Sequence, residues 1–203
     1  MNTKSKLSQK VLKNKYKPLF QYFINGLKDL YWAEKAVEAL LKKNKSLAYT
    51  EELSDALDDH EKQTQKHIRR LEKIFDSLKE KAEAKKCEAM AGLVKEAEET
   101  VKETPENSMT RDAVIIISAQ KVEHYEISSY GGLLQIAITF NMDSVADWLE
   151  KTLLEEEETD ELLSEIAESF INLEAAHEDE DDNDDDNDEK SDKKNTTSSP
   201  NKA

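Results

Sequence analysis

The sequence predicts an all-α protein, a four-helix bundle with a short extra helix in the central crossover. Three observations carry that prediction. With 4 Gly and 3 Pro among 203 residues, turn signals are scarce, while the strong helix formers Ala, Leu, Glu and Lys are plentiful. Four long segments repeat apolar residues at alternating steps of three and four, the period of a helix buried along one face. The link between the second and third of these segments is long, as a crossover between two helical hairpins must be. A chain of this length can bury one substantial core.

The first helix, about 19 to 44, carries its stripe on Phe20, Phe23, Ile24, Leu27, Leu30, Tyr31, Glu34, Val37 and Leu41. The second, about 51 to 79, follows with Leu53, Leu57, His60, Thr64, His67, Leu71, Ile74 and Leu78. A shorter helix from Glu88 to about Lys102 holds Met90, Leu93, Val94, Ala97 and Val101, stops before Pro105 and Asn107, and is expected to pack across the bundle. The third long helix, about 109 to 130, places Ala113, Ile116, Gln120, Glu123, Ile127 and Tyr130 in step. Gly131-Gly132 is expected to bend or interrupt it, with Leu133 to Phe140 adding a further turn or two. The fourth, about 144 to 172, is expected to start at a Ser144 N-cap and runs through Val145, Leu149, Thr152, Glu156, Thr159, Leu163, Ile166 and Phe170. Four such stripes bury one another most simply as two hairpins packed face to face.

The expected organisation is a basic arm over 1–18, the bundle over 19–172 and an acidic tail over 173–203, because the end segments are too polar to offset the entropy of ordering them. Ten acidic residues lie between Glu178 and Glu189, which leaves −6 of the net charge of −16 on the rest. Both parts repel a phosphate backbone, so direct nucleic-acid binding is not expected; the Lys-rich stretch Lys4 to Lys17 is the local exception. The six Lys of the first seventeen residues precede no apolar leader core, and no segment approaches the roughly 20 apolar residues of a membrane span. A single cysteine, Cys87, excludes an internal disulfide. These features lead us to expect a soluble, cytoplasmic protein without membrane contact.

Each long stripe is broken near its middle by a group able to bind a metal: Glu34, His60, Glu123 and Glu156. An unpaired buried carboxylate is costly, and three that converge repel one another. A cation resolves both problems. Height along antiparallel rods supports convergence. With the first turn near residue 47, Glu34 lies thirteen residues before it and His60 thirteen after, so the two are expected to meet. With the second turn near 142, Glu156 lies fourteen after, Glu126 sixteen before and Glu123 nineteen before. Glu126 matches better in height, Glu123 in facing. Gln63 and Thr64 beside His60, Glu126 beside Glu123, and Thr159 and Asp160 beside Glu156 are placed to complete two metal positions. Carboxylate oxygens with imidazole in a helical bundle suit iron, alternatively manganese, whereas zinc more often brings several Cys or His ligands. Tyr31, Tyr125 and Tyr130 read as core residues or as hydrogen-bond partners behind the ligands, His67 as a flanking residue, and His124 as a surface or interface residue. At least two acids of the run Glu155 to Glu158 must face solvent. The alternative for the same polar residues is a buried hydrogen-bond network without metal.

The stretches DLYWAEKA (29 to 36), HEKQTQKHIRRLEKIFDSL (60 to 78), KCEAMAGLVKEAEE (86 to 99), RDAVIIISAQKVEHYEISSYGGL (111 to 133) and TLLEEEETDELL (152 to 163) resemble the YciE/YciF stress-protein family of ferritin-like domains. The resemblance spans about residues 19 to 170, and AQKVEHYEI followed by SYG is its most specific part. It implies a ferritin-like bundle, usually a homodimer, with a di-iron site drawn from Glu34, His60, Glu123, Glu126, Glu156 and Asp160, and a link to stress responses. Family members often place an acid at or just before the position of Gln63; here Lys62-Gln63 leaves the second helix with His60, alone or with a neutral amide. Two functions follow as expectations: a metal-binding protein acting on iron, peroxide or oxygen, or a non-catalytic dimeric interaction protein whose inner polar residues specify packing. Iron storage in a cage is a weaker third, since no cage-forming surface is visible.

Overall fold

Local chemistry sets where each helix begins. A computed structural model describes residues 14–178; the Lys-rich arm through residue 13 and the acidic tail from residue 179 lie outside the described residues. Helix α1 (Pro18–Lys45) starts on a proline, whose missing N–H costs nothing at the first helical position. Helix α2 (Glu51–Leu78) is capped by the Thr50 hydroxyl, which accepts from the Leu53 amide, and Glu51 and Glu52 complement the dipole of its first turn. It ends at Lys79 with φ of 58°, the left-handed closing residue. The crossover then runs to α3 (Glu88–Lys102), whose cap is the Cys87 sulfur, and to α4 (Met109–Thr139), capped by Ser108. Helix α5 (Asp143–Ile166) continues through a π-helical turn, Ala167–Ile171, into a helical stretch over 172–178.

The α1–α2 and α4–α5 hairpins pack against each other with α1 beside α4 and α2 beside α5, while α3 lies across α4 and α1. This is the ferritin-like four-helix bundle with a crossover helix. Among the described residues there is no strand, and no helix is long and apolar enough to cross a membrane. Asp112 at the start of α4 ties the first hairpin down. Its buried carboxylate accepts from the Tyr49 amide at 2.7 Å, the Thr50 amide at 2.8 Å and the Thr50 hydroxyl at 2.7 Å. At the same helix end Glu178 accepts from the amides of Met109 and Thr110 and from the Thr110 hydroxyl.

Two local expectations are corrected. Gly131-Gly132 does not interrupt α4, which is helical without a break from Met109 to Thr139. Each glycine costs roughly 1 kcal/mol of helix propensity, but burying Leu133 and Leu134 returns about 1.5–3 kcal/mol each, so packing outweighs propensity. The N-cap of α5 is Met142 rather than Ser144, without a side-chain cap. Met142 is buried in the core, and that anchoring fixes the start of the helix in place of a hydroxyl. A third glycine does have a packing role: a Cβ at Gly26 would lie 2.8 Å from Leu133 Cδ2, so its absence lets α1 and α4 approach.

Candidate metal centre

The interior is divided. One apolar cluster joins Phe20, Leu27, Phe75, Leu78, Phe140 and Leu149 at one end of the bundle. A second joins Val37, Leu41, Leu57, Met90, Ile116 and Leu163 at the other. Between them every long helix supplies buried polar groups: Glu34 from α1, His60, Thr64 and His67 from α2, Glu123 and Glu126 from α4, and Thr152, Glu156 and Thr159 from α5. Helical periodicity produces this layer, because a polar residue substituted into an inward stripe keeps the inward direction of its apolar neighbours.

Two triads form within it. Glu34, His67 and Glu156 present one ligand atom each, all within 4.8 Å of one another, and His60, Glu123 and Glu156 do the same. Glu156 belongs to both, so it stands where a bridging carboxylate would. His67 Nδ1 lies 2.9 Å from Glu156 Oε1 and 3.7 Å from Glu34 Oε2, and His60 Nε2 lies 3.2 Å from Glu123 Oε1. All three are contacts between buried, oppositely chargeable groups. Glu34 Oε2, His60 Nε2, His67 Nδ1, Glu123 Oε2, Glu126 Oε1 and both oxygens of Glu156 are buried without a well-aligned hydrogen bond, held only by these ion-pair contacts where they have any. Buried polar atoms are nearly always satisfied, and a whole group of orphans facing one another is far outside that rule. A cation at their focus would satisfy them together, the donor set being carboxylate oxygen and imidazole nitrogen.

The electrostatics agree. Burial pushes the Glu126 carboxyl well above the usual range, with Glu34, Glu156 and Glu123 adding repulsion. Burial likewise lifts Glu156 to about 7, although His67 pulls the other way. Burial opposes a proton on each histidine, but the surrounding acids outweigh it: Glu155, Glu156 and Glu34 hold His67 up to about 12, and Glu123 and Glu156 raise His60. Without a cation the layer retains protons instead.

The partners behind the triads are specific. The Tyr130 hydroxyl donates to Glu34 Oε1, and burial beside that carboxylate drives the phenol pKa well above normal. Tyr31 turns instead to Glu72 at 2.7 Å, and Tyr125 to the Cys87 sulfur at 2.9 Å. His67 Nε2 meets Glu155 Oε2 at 3.0 Å, and Arg70 Nη1 holds the same oxygen at 2.8 Å while also donating to Thr152. Burial would raise Glu155, but His67 and Arg70 outweigh it and hold the carboxyl at about 2.

Of the residues singled out in the sequence, Glu34, His60, Glu123 and Glu156 come together in the triads, and Glu126 is buried in the same layer. Gln63 is half-buried and lines a cleft beside His60. Asp160 lies outside both triads, where it accepts from Gln120 at 3.4 Å and stands 3.5 Å from the exposed His124. Glu157 and Glu158 face solvent. The ring that closes on Glu34 is His67, not the expected His60, so His67 belongs to a triad rather than flanking the site; its position in the apolar stripe is the signal for it.

A helical bundle with a buried layer of carboxylates and imidazoles between two apolar cores defines the class of this protein. A family model described as "Domain of unknown function (DUF892)" matches residues 19–176, and the chain belongs to that family. Protein YciF of Escherichia coli K12 is 39% identical over 160 residues, which span 78% of this chain and 96% of the relative. The crystal structure of the E. coli stress protein YciF matches with a TM-score of 0.72, covering 77% of this chain and 98% of that one. YcfI of Rhodopseudomonas palustris matches at 0.71 with 36% identity, over 73% and 94% of the two chains. A Xanthomonas campestris protein, 21% identical over 74% of this chain and 92% of its own with a TM-score of 0.59, shares the fold. These relatives bear out the resemblance read from the sequence motifs.

Proposed function

We propose that the protein binds two iron or manganese ions per chain in the central polar layer and serves in a stress response through iron or peroxide chemistry. One observation carries the reading: the ligand atoms of Glu34, His60, His67, Glu123 and Glu156 are buried and converge on one another. The stress role is supported by the relative that is described as a stress protein. Glu34, His67 and Glu156 would hold one ion, His60, Glu123 and Glu156 the other, with Glu126 beside them. Such a pair supplies redox and Lewis-acid chemistry when bound. The chain's own residues exclude bulk water with the two apolar clusters, fix Glu34 through Tyr130, and favour a proton on Glu126 and on His67.

The proposed assembly is a homodimer in the cytoplasm, which sedimentation and fractionation test directly. Elemental analysis of protein purified without chelator tests the centre. We expect about two Fe or Mn per chain, reduced to one or none by Glu156→Ala. Absence of metal, with stability unchanged in chelator, would favour a non-catalytic packing role for the layer.

A further inference from the structure

The two triads use the same kinds of donor but are not held alike. His67 is fully buried and fixed from behind. Its Nε2 meets Glu155, Glu155 is gripped by Arg70, and Arg70, itself buried, is anchored on Thr152. This chain across α2 and α5 fixes the plane of the ring, so that Nδ1 faces Glu34 and Glu156. Glu34 is fixed in turn by the Tyr130 hydroxyl. Little remains to be ordered when a cation arrives there.

His60 is held weakly by comparison. Its Nδ1 meets only the Thr159 hydroxyl, at 3.4 Å, and that hydroxyl spends its proton on the Glu155 carbonyl at 3.0 Å. Among the described residues no carboxylate is hydrogen-bonded to its Nδ1, the nitrogen turned away from Glu123. The ring also lines a cleft of about 60 Å³ between α2 and α5, together with Ala56, Gln63, Ala119, Thr159 and Leu162. Small side chains at 56 and 119 leave this space beside the imidazole, whereas the His67 ring is fully enclosed.

We propose that the two positions load in order: Glu34, His67 and Glu156 hold a resident divalent cation, and His60, Glu123 and Glu156 take an exchangeable second one through the α2–α5 cleft. This deepens the metal-centre reading and rests on it. Glu155 and Arg70 are positioning residues for the resident ion. A carboxylate partner behind a ligating histidine typically strengthens metal affinity by roughly 10–100-fold, which sets the expected gap between the two positions. Sharing Glu156 widens the gap, because the first ion has already drawn on its charge.

Cobalt(II) is the probe, added to full-length protein stripped of metal. Crystals grown with one equivalent should give a single anomalous peak at Glu34, His67 and Glu156, and crystals with two equivalents a second peak beside His60. In solution titrations Glu155→Gln should weaken the first step about 10-fold or more and leave the second within about threefold. Arg70→Lys provides the same comparison should the first variant fail to fold. Ala56→Trp should slow uptake of the second ion and leave the first unchanged. Equal peaks at one equivalent, a first peak beside His60, or a Glu155→Gln effect spread equally over both steps would overturn the order of loading while leaving the metal centre intact. No cobalt at either position would overturn the metal-centre reading and this inference with it.

Discussion

Glu156→Gln should make the metal-free protein more stable at pH 8 while removing its ability to hold two ions. The Glu156 carboxyl is fully buried, and its pKa rises from an ordinary 4.5 to about 7 because burial penalises the charge. The sign follows from linkage. A carboxyl whose folded pKa is raised stabilises the fold relative to its ionised state only below the unfolded value, and that stability is lost as pH rises from 4.5 through 7. At pH 8 the folded protein therefore bears about 3 kcal/mol of strain from this one charge, since each pKa unit is worth about 1.4 kcal/mol. A neutral amide of the same size removes it. For a domain of this size the gain corresponds to roughly 6–12 °C in Tm at pH 8, shrinking to less than about 1 kcal/mol at pH 5, where the wild-type carboxyl is mostly protonated. Calorimetry of both chelator-treated proteins at the two pH values measures the difference directly. A variant less stable than wild type at pH 8, or one that still holds two ions, would refute the reasoning.

Metal binding should release protons and tighten as pH rises from 6 to 8, because Glu156 and His67 hold protons up to about 7 and about 12 that the cation must displace. Calorimetric titration in buffers of different ionisation enthalpy counts those protons, and a buffer-independent enthalpy would contradict it. Asp112→Ala removes three hydrogen bonds that tie the first hairpin loop to α4 and should cost about 2–4 kcal/mol in denaturant unfolding, with no change in metal content. Gly26→Ala forces Leu133 aside from a 2.8 Å contact, a cost of about 1–3 kcal/mol against roughly 1 kcal/mol of helix propensity regained, so it should be destabilising by up to about 2 kcal/mol; a stabilised variant would mean that Leu133 moves freely.

The bundle was legible because its four stripes keep a strict three-four period, and the centre because the same stripes are interrupted at Glu34, His60, Glu123 and Glu156 by groups that have no reason to be buried singly. Less was visible where distance along the chain had to stand for distance in space. Counting from the first turn paired Glu34 with His60, but the count assumes straight, parallel-sided rods, and His67 is the ring that reaches Glu34. Gly131-Gly132 read as a break because local propensity says nothing of Leu133 and Leu134 packing beyond it. Arg70, Glu155 and Asp112 leave no periodic trace. Each is a charge whose partner lies on another helix or loop, and in a sequence with 36% charged residues such a side chain looks like solvated surface.

The most direct measurement is an anomalous difference map at the iron absorption edge, taken from crystals of protein purified and grown without chelator. The account predicts two peaks per chain in the layer between the apolar clusters, one within bonding distance of Glu34, His67 and Glu156 and one within bonding distance of His60, Glu123 and Glu156. A map without peaks at the iron or manganese edge, with those side chains hydrogen-bonded to one another and to ordered water, would contradict it.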